Sequence, residues 1–143
     1  MPLVKKKLSP TKTREILLQA LYQKEISDIS NTNLINQFKK AYREFDISNV
    51  AEKLKGINEN NDLLNKSIAD NSSIEINSIG EIEISILRQS IFEIENSEID
   101  YPIVINEAVK LAKKFGQEDS YRFINGVLAV SYTHLRAHET PLY

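Results

Sequence analysis

An all-α fold of six or more helices is what this sequence predicts, and three observations carry it. Gly and Pro number only four each in 143 residues, too few to punctuate an all-β chain with many tight turns. Apolar residues recur at helical spacing along most of the chain. The polar segments between those stretches are short enough to be links rather than linkers. An apolar fraction of 41% and a charged fraction of 27% belong to an ordinary globular protein, and the length fits one domain or two small packed subdomains.

The elements follow in order. Ser9-Pro10 reads as a helix start, a cap residue with Pro in the first turn, and the helix behind it places Ile16, Leu17, Ala20 and Leu21 on one face. A second helix carries Leu34, Phe38, Ala41 and Phe45 in a 4-3-4 rhythm, broadened by Ile35 and Tyr42. Ser48 or Asn49 caps a third, with Val50, Leu54, Ile57, Leu64 and Ile68 facing inward, and Asn71-Ser72-Ser73 is a loop. The stretch Ile74-Glu75-Ile76 and Ile82-Glu83-Ile84-Ser85-Ile86 alternates with period two, which taken alone favours a strand. No turn signal follows Ile86, however, and Leu87, Ile91 and Ile94 continue at helical spacing. Nineteen isoleucines in the chain also dilute the strand inference, so a helix from about residue 79 to 96 is expected. Asp100 can cap a helix running to Phe115, stopped by Gly116. A last helix starts near Glu118-Asp119-Ser120, where acids suit a helix N-terminus, and buries Phe123, Ile124, Val127 and Leu128.

Composition excludes several function classes. With no cysteine, thiolate zinc sites, cysteine nucleophiles and disulfide frameworks are ruled out. No apolar run is long enough for a transmembrane helix, and no apolar stretch follows the N-terminal lysines as a secretory signal requires. The expectation is a cytoplasmic protein without membrane attachment. The two histidines, His134 and His138, are spaced i, i+4, but Leu135 follows His134 where a zinc-protease helix needs an acid, and there is no third histidine. Glycines stand singly, so there is no phosphate-binding loop. No carboxylate pair stands out for acid–base work. Neither an enzyme nor a cofactor is expected.

Recognition remains. The net charge is −2, yet Lys5, Lys6, Lys7, Lys12 and Arg14 precede the first acid, Glu15, whereas residues 75–100 hold seven acids against Arg88 alone. A basic end suits a polyanion and an acidic stretch suits a basic partner. Near the other end Lys113, Lys114 and Arg122 mix with Tyr121 and Phe123. That mixture suits single-stranded RNA, whose phosphates meet cations and whose bases stack on rings, although a phenylalanine in such a helix is more often a core residue.

The run Ile105-Asn106-Glu107-Ala108-Val109-Lys110-Leu111-Ala112-Lys113-Lys114-Phe115-Gly116, then Glu118-Asp119-Ser120 and Phe123-Ile124-Asn125-Gly126-Val127-Leu128, resembles the C-terminal signature of the NusB family of bacterial transcription antitermination factors. Arg14-Glu15, Gln19-Ala20-Leu21-Tyr22, Glu83 and Leu87-Arg88 agree with it, so the resemblance spans about residues 10–128. It implies two small helical bundles packed into one compact domain. It also implies binding of boxA-type single-stranded RNA with the ribosomal protein NusE, within the transcription elongation complex and in support of rRNA transcription. Carried over by residue, the RNA surface would comprise Lys5, Lys6, Lys7, Lys12 and Arg14 with Asp119, Arg122 and Phe123. Tyr22 and Glu83 would face NusE. Self-association of the free protein as a homodimer stays open.

The chain departs from the family at three places. Asp100-Tyr101-Pro102 replaces the usual Pro-Tyr-Lys and so lacks a cation. The N-terminal cluster is lysine where many relatives use arginine, giving point charges instead of bidentate forks. Residues 131–143 have no family counterpart and contain no Ile, Asn or Lys, so they read as a foreign, disordered or loosely packed tail. The organisation expected is a basic segment over 1–9, a helical RNA-binding domain over 10–130, and that tail. Two alternatives compete: the RNA-targeting domain of a truncated rRNA cytosine methyltransferase, and a helical protein-interaction module without an RNA role.

Overall fold

The computed structural model describes residues 4–139, with side chains described as far as His134. Among the described residues seven α-helices and two very short strands follow in the order β1 (Lys6–Lys7), α1 (Pro10–Ile26), α2 (Asn31–Ala41), β2 (Phe45–Asp46), α3 (Ser48–Glu59), α4 (Asn61–Asn71), α5 (Glu81–Asn96), α6 (Tyr101–Phe115) and α7 (Ser120–Glu139). A 3₁₀ turn at Ile76–Ser78 precedes α5. The chain divides into two compact units, residues 1–59 and 60–143.

In the first unit α3 packs on α1 and α2. Local chemistry starts each helix. The Ser9 hydroxyl accepts from the Lys12 amide at 3.1 Å with Pro10 in the first turn, and the Ser30 hydroxyl accepts from the Asn33 amide at 3.1 Å. These side chains satisfy amides that the helix itself leaves unpaired. Ile16, Leu17 and Leu21 of α1, Leu34 and Phe38 of α2, and Val50, Leu54 and Ile57 of α3 are buried. The expected second helix is too long by a turn. It stops at Ala41, which is exposed, and the Phe45 amide bonds back to the Tyr42 carbonyl at 2.8 Å. Phe45 then leaves the helical stripe and joins β2, which pairs in parallel with β1 in the register Lys6 to Phe45 and Lys7 to Asp46.

In the second unit α5 packs on α4, α6 and α7, and α7 packs also on α4 and α6. Ile84, Ser85, Ile86 and Leu87 are consecutive and all buried. A helix enclosed on every side has no polar face to mark its period, which is why its isoleucines could be mistaken for a strand. Ser85 is tolerated in that interior because its hydroxyl donates to the Glu81 carbonyl at 2.7 Å.

Two further expectations need correction. The apolar spacing over 48–68 suggested one helix, but α3 ends at Glu59 and α4 begins at Asn61. The Asn-rich joint, Asn58 to Asn61, is weak helix-forming sequence. Gly116 closes α6 as expected, in an extended conformation at φ −89° and ψ −177°. The expected loose tail is instead the continuation of α7 through Glu139. Ser131 is 1% exposed and the Tyr132 ring stacks on Tyr101 with centroids 3.5 Å apart. Residues 140–143, including Pro141, lie outside the described residues.

Candidate nucleic-acid interface

The basic segment of the first unit is held in place by backbone, leaving its side chains outside. The Lys6 amide donates to the Glu44 carbonyl at 2.7 Å, and Leu8 immediately after the strand is buried. Lys5, Lys6 and Lys7 are exposed. The segment is therefore a row of three exposed lysines on a fixed backbone. Lys12, one turn into α1, is half-exposed and lies 3.7 Å from Glu15, a loose pair of small energetic weight.

Arg14 does not extend this row. Arg14 is only 7% exposed and has an interaction partner within the protein, whereas the three lysines are exposed. Nothing in the sequence marks the acid that stands beside the row. Asp46 pairs across from Lys7, and its carboxyl is held below the usual carboxylate range, chiefly by hydrogen bonds from Ser48, with Lys5 adding a smaller pull. The Ser48 amide donates to Asp46 Oδ1 at 2.9 Å, so Asp46 caps the start of α3, a role the sequence reading assigned to Ser48 or Asn49.

In the second unit Asp119 and Arg122 are exposed at the start of α7. Phe123 is half-buried, between the core residue and the stacking platform that the sequence allowed. Tyr121 organises the cations. Lys113 Nζ stands 4.7 Å from its ring centroid and the Arg122 guanidinium 5.6 Å. The Arg122 Nε donates to the Tyr121 hydroxyl at 3.0 Å, a bond that also raises the guanidinium pKa. Cations resting on a ring lose less freedom when they meet an anion.

The residues expected to face a protein partner are separate cases. Tyr22 is half-buried on α1. Glu83, in the first turn of α5, accepts from the Ser120 hydroxyl at 2.8 Å through Oε2. A side chain on Gly116 would come within 2.7 Å of that oxygen and 2.8 Å of the Ala112 carbonyl. Glu83 thus joins the start of α5 to the α6–α7 link, and Gly116 is glycine because that approach is close.

The charge of the two units differs in sign. Residues 1–59 hold eleven Lys and Arg against seven Asp and Glu, and residues 60–143 hold seven against thirteen. Among the described residues no cluster of three or more His, Cys, Asp or Glu could hold a metal ion, and no helix is long and apolar enough to cross a membrane.

The NusB family model matches residues 11–132. The chain is 36% identical over 132 residues to the transcription antitermination protein NusB of Hydrogenovibrio crunogenus, covering 90% of this chain and 82% of that protein. It is 39% identical to that of Buchnera aphidicola subsp. Baizongia pistaciae, covering 90% and 92%. Among solved structures, T. maritima NusB superposes with a TM-score of 0.80 at 23% identity, covering 94% of this chain and 99% of that one. The solution structure of NusB from Aquifex aeolicus gives 0.75 at 17% identity, covering 93% of each. Both structural likenesses speak to the fold.

Proposed function

We propose, since the chain belongs to the NusB family, whose curated members are named transcription antitermination proteins, that it is an antitermination factor acting on RNA. In this reading it binds boxA-type single-stranded RNA together with the ribosomal protein NusE, in the cytoplasm and within the elongation complex, in support of rRNA transcription. It acts by binding and not by catalysis, and needs no cofactor.

The observation that supports this reading most is the row Lys5-Lys6-Lys7, exposed yet fixed by backbone pairing in a unit with surplus positive charge. RNA affinity is dominated by phosphate contacts, and lysines carried on a backbone already in place leave only side chains to order on binding. Lys12 extends it. In the second unit Arg122 and Phe123 supply a cation and a ring for a flanking nucleotide, with Asp119 beside them as a potential acceptor from a base. The surplus of acids in that unit suits a basic ribosomal protein, with Glu83 on this side and Tyr22 of α1 as proposed contacts. The test is a titration of labelled boxA-type RNA with the intact chain, with and without NusE. Tighter RNA binding in the presence of NusE supports the reading, and RNA binding indifferent to both boxA sequence and NusE overturns it.

A further inference from the structure

Four of the seven cations in the acidic second unit, Lys110, Lys113, Lys114 and Arg122, fall within thirteen residues of one another around the α6–α7 link. Beside them a groove of about 620 Å³ runs between α6 and α7, well within the range of small-ligand sites. At one end stand Lys113 and Arg122, both resting on Tyr121. Asn106, Asn125 and the apolar Ile105, Val109 and Ala129 line it as well. Among the described residues no Asp or Glu lines it, although the unit as a whole has nearly twice as many acids as cations. Lys110, which does meet an acid, pairs with Glu107 at 3.4 Å outside the groove.

We propose that this groove is a nucleotide subsite that takes one unstacked nucleotide of single-stranded RNA, an inference that rests on the RNA-binding reading above. The parts divide the ligand's chemistry. Lys113 and Arg122 are held by one ring and present two positive charges to the phosphate. The apolar lining around Val109 takes the flat face of a base. Asn106 and Asn125 are exposed carboxamides, each with a donor and an acceptor, and so can read a base edge that is not paired. A purely apolar groove would be indifferent to charge, and a purely cationic one would not distinguish a base from an abasic site. This groove does both.

The experiment is an abasic scan. A labelled boxA-type oligoribonucleotide is made with an abasic residue at each position in turn, and each is titrated against the intact chain and against N106A/N125A. The intact chain should show one position where base removal weakens binding several-fold, and that penalty should vanish in the variant. Lys113→Gln should flatten the salt dependence by roughly 0.7 in log–log slope, as removing the cation from one single-strand phosphate does. Identical abasic profiles for the two proteins, with RNA still bound through Lys5, Lys6 and Lys7, would overturn the subsite and leave the RNA reading standing. Failure of the intact chain to bind RNA would overturn both. Saturable binding of free mononucleotides that needs Asn106 and Asn125, without RNA binding, would make the groove a small-molecule site and contradict the proposal. So would a dimer that disappears in N106A/N125A, since a second copy would then occupy the groove.

Discussion

Glu83 shows how one residue can carry an expected role and an unforeseen one. The sequence placed it in an acidic stretch, and a carboxylate there suits a basic partner. The structure adds a bond from Ser120 and a close approach to Gly116. Glu83→Lys should therefore lose stability as well as partner affinity, about 1–3 kcal/mol by the cost of orphaning a partly buried polar group. Glu83→Gln keeps an acceptor oxygen and should hold the melting temperature while weakening NusE binding, which separates the two roles by thermal denaturation and pull-down. Gly116→Ala should destabilise by a comparable amount although its φ is ordinary, because the Ala112 carbonyl at 2.8 Å cannot move aside cheaply. A melting temperature equal to that of the unaltered chain would contradict this. Asp46 gives a pH dependence with a definite sign. Its folded pKa lies below the ordinary 3.8, so its contribution is fully present above that value and fades as pH falls through the folded pKa. Asp46→Ala should melt lower at neutral pH and converge with the unaltered chain in acid. A constant gap across pH would show that the carboxylate charge is not what caps α3.

Elements were legible where one face was apolar and the ends were capped by nearby side chains. Helix α1 has both marks in Ser9, Ile16, Leu17 and Leu21. The strand pair was hidden because it joins residues 6–7 to 45–46 through backbone groups alone, and backbone pairing leaves no trace in side-chain pattern. The same fact yields a prediction. Replacing Lys5, Lys6 and Lys7 by Ala should leave the fold intact while weakening RNA binding, since only exposed side chains change; a lower melting temperature would show that the ammonium groups hold β1. The burial of Arg14 was not legible, because a cation next to a cationic run reads as surface and nothing local reveals a buried guanidinium. The tail misled through composition. Ser131 is buried and Tyr132 stacks on Tyr101, so deleting residues 131–143 removes core cover and an aromatic pair. Melting temperature should fall by several degrees, roughly what 1–2 kcal/mol produces in a domain of this size. An unchanged transition would restore the view that the segment is an appendage.

At the scale of the molecule, the helical class and the family were readable from spacing and from the motif around residues 105–128, both of which survive substitution at single sites. The candidate interface was readable only in part. Runs of like charge announce Lys5 to Lys7, but the ring that gathers Lys113 and Arg122 and the groove beyond it depend on how α6 and α7 pack. The opposed charge of the two units, with one surplus in cations and the other in acids, matches a protein that meets a polyanion and a basic partner through different parts of its surface. The central claim is that this chain recognises boxA-type RNA through its fixed lysine row. Its most direct test is the affinity of the intact chain and of the Lys5/Lys6/Lys7→Ala variant for boxA-type RNA and a scrambled RNA, across a series of salt concentrations. The account predicts a preference for boxA in the intact chain and a log–log salt slope shallower by roughly 2 in the variant, about 0.7 for each phosphate left without its lysine. Equal affinity for the two RNAs, or the same slope in both proteins, would contradict it.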